Sequence, residues 1–386
     1  VKLILAALSF IFVWISFIAD AQASLIDGGE PVRVRLSSFK EKIKLTGTGL
    51  RIQNKEEPFQ IVAIPQKSEA EVRLVHKNGK SHWVVRLNNK DPERIFVDPF
   101  LLIEGQGLRA EAKALPNKII LHASSGSGGD LIGVLPLEEY LVGVLASEVP
   151  LSWPLETLKA QAVAARSYAL AVMKERKNRA FHVESSILDQ VFRHVLSEDD
   201  KSPLIDKALQ AVRETKGLRL LTAKNQVLKA FYHSDCGGQT TTAKNVWNHG
   251  VNTGTAVDSS CPSHPGSRWK FQLSRAELLE RLKVAEFKAL ELIKPLHEKR
   301  ISAVRVAFND MEQKVIPANE FRKLLGFQEL KSAAFTVVMS GDDYIFQGEG
   351  FGHGVGLCQW GSRALGLQGR NYKQILSHYY PLAAVK

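Results

Sequence analysis

Cysteine is scarce: Cys236, Cys261 and Cys358 are the only three in 386 residues. That excludes a disulfide-dense scaffold, and a chain this long can be held by its own core. An odd count also leaves at least one thiol outside any single intrachain bridge. Long apolar runs are equally few. After Ala19 none approaches the ~20 residues that a membrane-spanning helix needs. Basic blocks interleaved with aromatics are missing too, so the net charge of +11 is not arranged for nucleic acid. No repeat appears at solenoid periods, and helices and strands do not alternate as regular βαβ units.

What the chain does have begins with an N-terminus suited to export. Lys2, an apolar run from Leu3 to Ala19 and the small-residue end Ala21-Gln22-Ala23 predict a secretory signal peptide over residues 1–23, cleaved after Ala23. A retained membrane anchor is the rival reading of the same run. Cleavage would remove Lys2 together with Asp20, so the charge of +11 carries over to the mature chain. The expectation is a soluble protein exported to the periplasm or cell-wall compartment, with no membrane span after cleavage. There a basic surface meets anionic polymers such as cell wall.

From Leu25 to about Pro116 the chain is short alternating runs: VRVRL at 32–36, FQIVAI at 59–64, EVRLVH at 71–76 and HWVVRL at 82–87. Turn signals separate them, and Asn78-Gly79 is a hairpin signal. They predict a small β-rich domain over 24–116, with no catalytic spacing in it. Residues 117–386 read as an α+β domain, helices and antiparallel sheet mixed around an Ala-rich central helix. Leu137, Tyr140, Leu141, Val144 and Leu145 stand at helical spacing. Val149-Pro150 ends that helix, because the residue before proline avoids the α region. A second helix starts near Pro154 with Ser152 as its cap, and its apolar positions repeat every three or four residues to Met173. Its many alanines imply close packing. The pattern then predicts a helix over 202–215, a strand pair around Lys224-Asn225, loop over 235–268 and a helix over 274–293. A strand over 301–308, a helix over 318–326, a strand over 334–340 and a last helix over 357–366 follow.

Three places could carry chemistry. Glu148 is flanked by Leu145 and Val149, ahead of Pro150 and Trp153. An apolar frame penalises a charged carboxylate and raises its pKa toward what a general acid needs. By position alone Glu148 is equally a helix-end glutamate facing water. Next, His233-x-x-Cys236 and Cys261-x-x-His264 would together make a tetrahedral Cys₂His₂ set for structural Zn²⁺, with His249 as a substitute ligand. A Cys236–Cys261 disulfide is the competing reading for an exported protein. Third, GEGFGHGVG at 348–356 offers no G-x-G-x-x-G register and follows a hairpin, which excludes a dinucleotide fingerprint. Its glycines imply backbone forced close to a neighbouring strand or a glycan. A His353–Cys358 thiol-protease pair is disfavoured by its local spacing, the lack of a third orienting residue and the apolar helix start around Cys358.

The stretch PLEEYLVGVLASEVPLSWPLETLKAQAVAARSYAL (136–170), with FYHSDCGGQT (231–240), GEGFGHGVGLCQWG (348–361) and HYYP (378–381), resembles the signature of the SpoIID/LytB family. The blocks are in the family's order and spread from about residue 119 to the end of the chain. The resemblance implies peptidoglycan glycan strands as the polymer partner. It further implies a lytic transglycosylase whose catalytic glutamate falls in Glu148-Val149-Pro150, with peptide-stripped glycan as the substrate of sporulation-type members. Such an enzyme works with one carboxyl group as acid and then base, closing a 1,6-anhydro ring with the sugar's own 6-hydroxyl, and needs no cofactor for catalysis. Glu138 and Glu139 would then only cap or solvate the preceding helix. On the strength of the family resemblance, His353 and Gln359 could hydrogen-bond sugar hydroxyls, Trp360 and Tyr379 could stack on pyranose faces, and Arg166 could pair with an acid in the cleft. His353 could equally lock the loop. Zinc near the second motif in some members implies a structural Zn²⁺ here. The family also holds amidase enhancers, so a non-catalytic wall-binding protein that stimulates a cell-wall amidase is a second expectation. A zinc hydrolase using His233, Cys236 and Cys261 with an open metal position is a third.

Overall fold

The computed structural model describes residues 29–54, 62–88, 92–124, 128–196, 202–259, 261 and 266–386. The expected signal peptide and His264 lie outside the described residues. The fold is α+β, and the chain forms two compact units. The first runs to Ser152 and resumes over Ala169–Lys216; the second holds Trp153–Tyr168 and Gly217–Lys386. Among the described residues no helix is long and apolar enough to cross a membrane.

In the first unit the strands are β1 (Val32–Phe39), β2 (Lys42–Asn54), β3 (Val62–Lys77), β4 (Lys80–Leu87), β5 (Arg94–Val97), β6 (Phe100–Ala110), β7 (Lys113–Ala114), β8 (Lys118–Ala123), β9 (Gly129–Leu135) and β10 (Val183–Glu184). They make one sheet in the order β10-β1-β9-β8-β6-β2-β3-β4-β5, with β7 beside β6. Every pairing is antiparallel except that of β1 with β10. The Asn78-Gly79 hairpin forms as its sequence predicts: Lys77 faces Lys80, and both central residues take positive φ, 52° and 73°, the primed turn that matches strand twist. Alternating residues of these strands, Leu45, Leu50, Ile52, Trp83, Leu101, Ile103 and Leu121 among them, fill the core. The expected border at Pro116 is not where this sheet ends. β8 pairs β6 and β9 pairs β1, so strands on both sides of Pro116 share one sheet. The local alternation could not reveal that, because β1 and β9 meet across a separation of about a hundred residues.

β9 is buried along its whole length and leads through Pro136 into helix α1 (Leu137–Glu148). Val149, in extended backbone, ends α1 as the following proline requires. Helix α2 (Leu155–Glu175) follows, and Ala160–Ala169 are buried on every face, which makes it the close-packed central helix its alanines predict. Its residues up to Tyr168 belong to the second unit and the rest to the first. Helix α3 (Pro203–Glu214) is capped by Ser202, whose hydroxyl accepts from Leu204 N–H. It packs against α1.

The second unit departs more from expectation. Its elements are β11 (Leu220–Thr222), β12 (Tyr232–His233), α4 (Ala243–Trp247), β13 (Arg268–Ser274), α5 (Arg275–Leu282), β14 (Ala289–Ile293), β15 (Ala303–Ala307), β16 (Gln313–Pro317), α6 (Ala318–Leu325), β17 (Phe335–Ser340), β18 (Asp343–Glu349), β19 (Leu357–Cys358), α7 (Gln359–Leu367), α8 (Tyr372–Tyr379) and β20 (Ala383–Val385). The strand pair expected around Lys224-Asn225 is reduced to one bridge, Leu221–Val227, because β11 pairs β20 and β12 pairs β19 instead. The helix expected over 274–293 stops at Leu282. Lys283 takes a left-handed φ of 57°, and Leu290 and Leu292 enter strand β14 against β15. Residues 235–268, expected as loop, contain the short helix α4. Two sheets, β13-β18-β17 and β14-β15-β16, share a core with α5 and α6 that includes Phe287, Val304, Phe321 and Phe346. A second core joins Ala160, Val163 and Ala164 to Leu357, Ile375 and Tyr380.

One tie in the first unit titrates. His182 is fully buried; its Nδ1 accepts the Arg33 backbone N–H at 3.2 Å and its Nε2 lies 2.6 Å from the Arg33 guanidinium. Burial first, and then Arg33, pull its pKa down to about 4. The unfolded chain therefore binds this proton first as pH falls. Its contribution to stability is complete above about pH 6.5 and is lost toward pH 4, at a slope of at most about 1.4 kcal/mol per pH unit. Thermal melts between pH 7 and pH 4 should show Tm falling, and His182→Gln should flatten that slope; an unchanged slope would refute the assignment.

Candidate active site

Glu148 is the last residue of α1 and is half-buried. Leu145 and Val149 beside it are buried, so the apolar frame read from the sequence is present. Its Oε1 accepts the Val191 backbone N–H at 2.7 Å, a contact that fixes one carboxyl oxygen. Val191 sits on a strap, residues 183–196, that lies over α1. Arg176 anchors the strap through a two-pronged ion pair to Asp189, at 2.6 and 3.0 Å, and through a bond to the His182 carbonyl. Asp189 also accepts from Glu184 N–H. Tyr140 of α1 donates to Gln190 Oε1 at 2.9 Å and stacks on Phe192. Gly143 makes the close approach possible: a Cβ there would run into the Arg193 carbonyl and the Phe192 ring. Glu139, expected only to cap or solvate, has its pKa raised by burial and lies 3.7 Å from His194 Nδ1.

In the second unit β12 and β19 pair in parallel, Tyr232 with Leu357 and His233 with Cys358. This brings three thiols and a carboxylate together: the ligand atoms of Asp235, Cys236, Cys261 and Cys358 all lie within 4.8 Å of one another, and all four residues are buried. The thiols are free, with Cys261 Sγ 3.1 Å from Cys358 Sγ and 2.9 Å from Asp235 Oδ1. Hydrogen bonds from Cys261 and Cys358 pull the Cys236 thiol down to about 5, while Cys236 raises Cys261 and burial raises Cys358. The donor set fits Zn²⁺. Four ligands about 2.3 Å from a tetrahedral ion stand roughly 3.8 Å apart, so the sulfurs need open only slightly. One expected ligand, His233, is not in the cluster. His233 bonds the Val355 carbonyl through Nδ1 at 3.2 Å, and burial drives its pKa down to about 3, while His264 lies outside the described residues. His249 is exposed. Asp235 and Cys358, which the spacing did not single out as ligands, stand in the cluster with Cys236 and Cys261.

The glycine loop is shaped by close approach. Gly350, Gly352, Gly354 and Gly356 all have positive φ, and a Cβ on Gly356 would strike the Phe231 carbonyl. His353 is half-buried between Phe231, His233 and Trp247. Its Nδ1 accepts Val355 N–H at 3.0 Å and it bonds the Tyr232 backbone; burial, then His233 and two arginines, hold it neutral. That is the loop-locking role, and it spends the ring nitrogens that were to meet sugar hydroxyls. Tyr379 is fully buried and donates to Asp258 Oδ2 at 2.6 Å, so it offers no face to a pyranose. Arg166 is buried and donates to the Leu218 carbonyl at 3.1 Å. Gln359 is nearly buried. Trp360 is half-exposed, 5.0 Å from Trp153 and with Arg363 over its face. Sequence reasoning missed Trp247, Asp235, Asp258 and the strap around Val191, which are recruited over long separations without a local signature.

Both ties are measurable. Asp189 is almost fully buried, so Asp189→Ala, which strands the Arg176 charge, should cost about 3 kcal/mol in urea denaturation. Tyr379→Phe should cost about 1–3 kcal/mol, having left Asp258 without its hydroxyl donor, and should not alter glycan binding. A Tyr379→Phe protein with wild-type stability and weakened glycan binding would return that residue to the sugar site.

Residues 125–221 match the model of the family described as Stage II sporulation protein, and residues 255–356 match a domain of unknown function (DUF8618). An uncharacterized protein of Brachyspira hyodysenteriae is 30% identical over 256 residues, 65% of this chain and 66% of that one, just under two thirds of its length. Stage II sporulation protein D of Bacillus amyloliquefaciens is 28% identical over 290 residues, 72% of this chain and 81% of that one. The Amidase enhancer of Bacillus subtilis is 28% identical over 300 residues, 62% of this chain and 39% of that one. Residues 125–221 thus carry a match to the SpoIID family model, and the relatives that the chain resembles include a Stage II sporulation protein D and an Amidase enhancer.

Proposed function

We propose that this protein is an exported peptidoglycan lytic transglycosylase with Glu148 as its acid and base. The observation that carries the proposal is the carboxyl group at the end of α1, half-exposed, apolar-framed and fixed by Val191 N–H. A single carboxyl group suffices. It donates its proton to the glycosidic oxygen as that bond to the anomeric carbon breaks. It then takes the proton of the sugar's 6-hydroxyl, whose oxygen bonds to the anomeric carbon and closes a 1,6-anhydro ring. No water is consumed and the carboxyl group ends protonated, ready for the next cycle. Such proton transfer is worth roughly two to four powers of ten in rate, with positioning supplying more.

The four buried donors would hold a structural Zn²⁺, which as a Lewis acid bound by thiolates supplies folding energy. Their burial argues against a zinc hydrolase, because an open ligand position must be reachable by substrate. An enhancer of a cell-wall amidase is the second reading, favoured by the relative of that name.

Glu148→Gln should stay folded and release no anhydro-muropeptides from sacculi, read by mass spectrometry on peptide-bearing and peptide-stripped glycan alike; full activity would sink the mechanism. If neither protein releases product and both stimulate an added amidase, the enhancer reading replaces it. Elemental analysis should find one zinc per chain, lost with Cys358→Ser and retained in Glu148→Gln. A Cys236–Cys261 bond in the peptide map of the native protein would exclude the metal.

A further inference from the structure

A cleft of about 1450 Å³ in the second unit belongs to no motif that has been given a role. One wall is α4 with Asn248; the other is formed by α5, α6 and the start of β15, inside the stretch matched by the domain of unknown function. Its size exceeds the roughly 300–1,000 Å³ of a small-molecule site, so it suits a segment of polymer. Trp247 lines it, half-buried, with Phe231 and His353 packed on the indole at 4.5 and 5.1 Å. An aromatic ring so backed is a rigid platform for the apolar face of a sugar.

The charges around that platform are the informative part. Lys244 on α4, Lys283 just after α5 and Lys323 on α6 line the cleft, as do Glu280 on α5 and Glu320 on α6. All five are exposed, and none forms an ion pair among the described residues. The two other charged groups of the lining are already engaged: Glu277 closes the capping box of α5 with Ser274, and Arg281 donates to the Leu325 carbonyl. Three ammonium and two carboxylate groups thus surround one concavity without neutralising one another. A neutral sugar would leave all five without counterparts, and a purely anionic strand would face two carboxylates. A ligand bearing both signs matches the lining.

We propose that this cleft binds a peptide-bearing amino sugar: the pyranose on Trp247, the peptide's carboxylates toward Lys244, Lys283 and Lys323, and its amine toward Glu280 and Glu320. The assignment rests on peptidoglycan being the polymer recognised, and not on cleavage at Glu148. It gives the stretch 255–356 a task of its own, holding strands that still carry their peptides.

Isothermal titration of the full chain carrying Glu148→Gln, which removes turnover, tests it with three probes: disaccharide–tetrapeptide fragments of peptidoglycan, the same disaccharide without peptide, and the free tetrapeptide. The joined probe should bind at least about ten-fold more tightly than either piece, a gain of about 1.4 kcal/mol, and should weaken with salt. Lys323→Glu, an exposed change whose fold is checked by its Tm, should weaken it about ten-fold, and Trp247→Ala more. Equal binding of the bare disaccharide, or unchanged affinity in Lys323→Glu, overturns the proposal. If the joined probe binds as expected while the wild type releases no anhydro products, the cleft stands and the transglycosylase reading falls. Anhydro products with unchanged Lys323→Glu binding give the reverse.

Discussion

The second unit depends on a parallel pairing of only two residues, Tyr232 with Leu357 and His233 with Cys358. Parallel strands cannot be joined by a tight turn, so this contact closes a loop of more than a hundred residues, and its entropy must be met by everything gathered around it. The compensation is visible. Asp235 and Phe351 exchange both backbone hydrogen bonds, Trp360 N–H reaches the Ser234 carbonyl, and the Tyr380 hydroxyl donates to the Phe231 carbonyl. The glycines at 350, 352 and 356 let the two backbones come that close. Once the strands are in register, the thiols of Cys236 and Cys358 meet without further instruction, and His233 and His353 are held neutral among rings and buried arginines.

The first unit solves a different problem, which is to hold one carboxyl group still at the end of a helix. α1 is apolar on nearly every face, so it must be covered, and the strap 183–196 covers it. The strap is largely irregular, and irregular backbone is held only by specific polar partners. Arg176 and Asp189 supply these, and the parallel pairing of β10 with β1 ties the strap's start to the sheet. Position of the carboxyl group and coverage of the helix are therefore one constraint.

How much of this was legible followed the range of the signal. α1, α2 and the Asn78-Gly79 hairpin are local patterns closed by proline, alanine spacing and a turn dipeptide, and each forms where the sequence places it. The helix expected over 274–293 failed because its leucines fit two periods. Ser274 and Glu277 mark its start with a capping box, but nothing local says that Leu290 and Leu292 will face a strand. In the candidate site, Glu148 was singled out by the motif it sits in. Tyr379 was misjudged because an aromatic in a motif looks the same whether it meets a ligand or a buried carboxylate. Cys358 was set aside because its partners lie 97 and 122 residues away.

Arg300 explains why those three thiols are more than a chance of packing. Its side chain is buried, donates to the Gln239 carbonyl, and has its pKa lowered by burial against the pull of Cys236, Cys358 and Asp235. A buried guanidinium stays charged, so the surroundings must supply an anion or bear a cost of several kcal/mol. Cys236, brought down to about 5 by its two thiol neighbours, is that anion. With a thiolate the guanidinium is balanced. Gly354 leaves the space that Arg300 fills, since any Cβ there would overlap the guanidinium. The glycine loop and the thiol cluster are thereby one electrostatic unit, with the arginine fixing the sign of the charge that the sulfurs must carry.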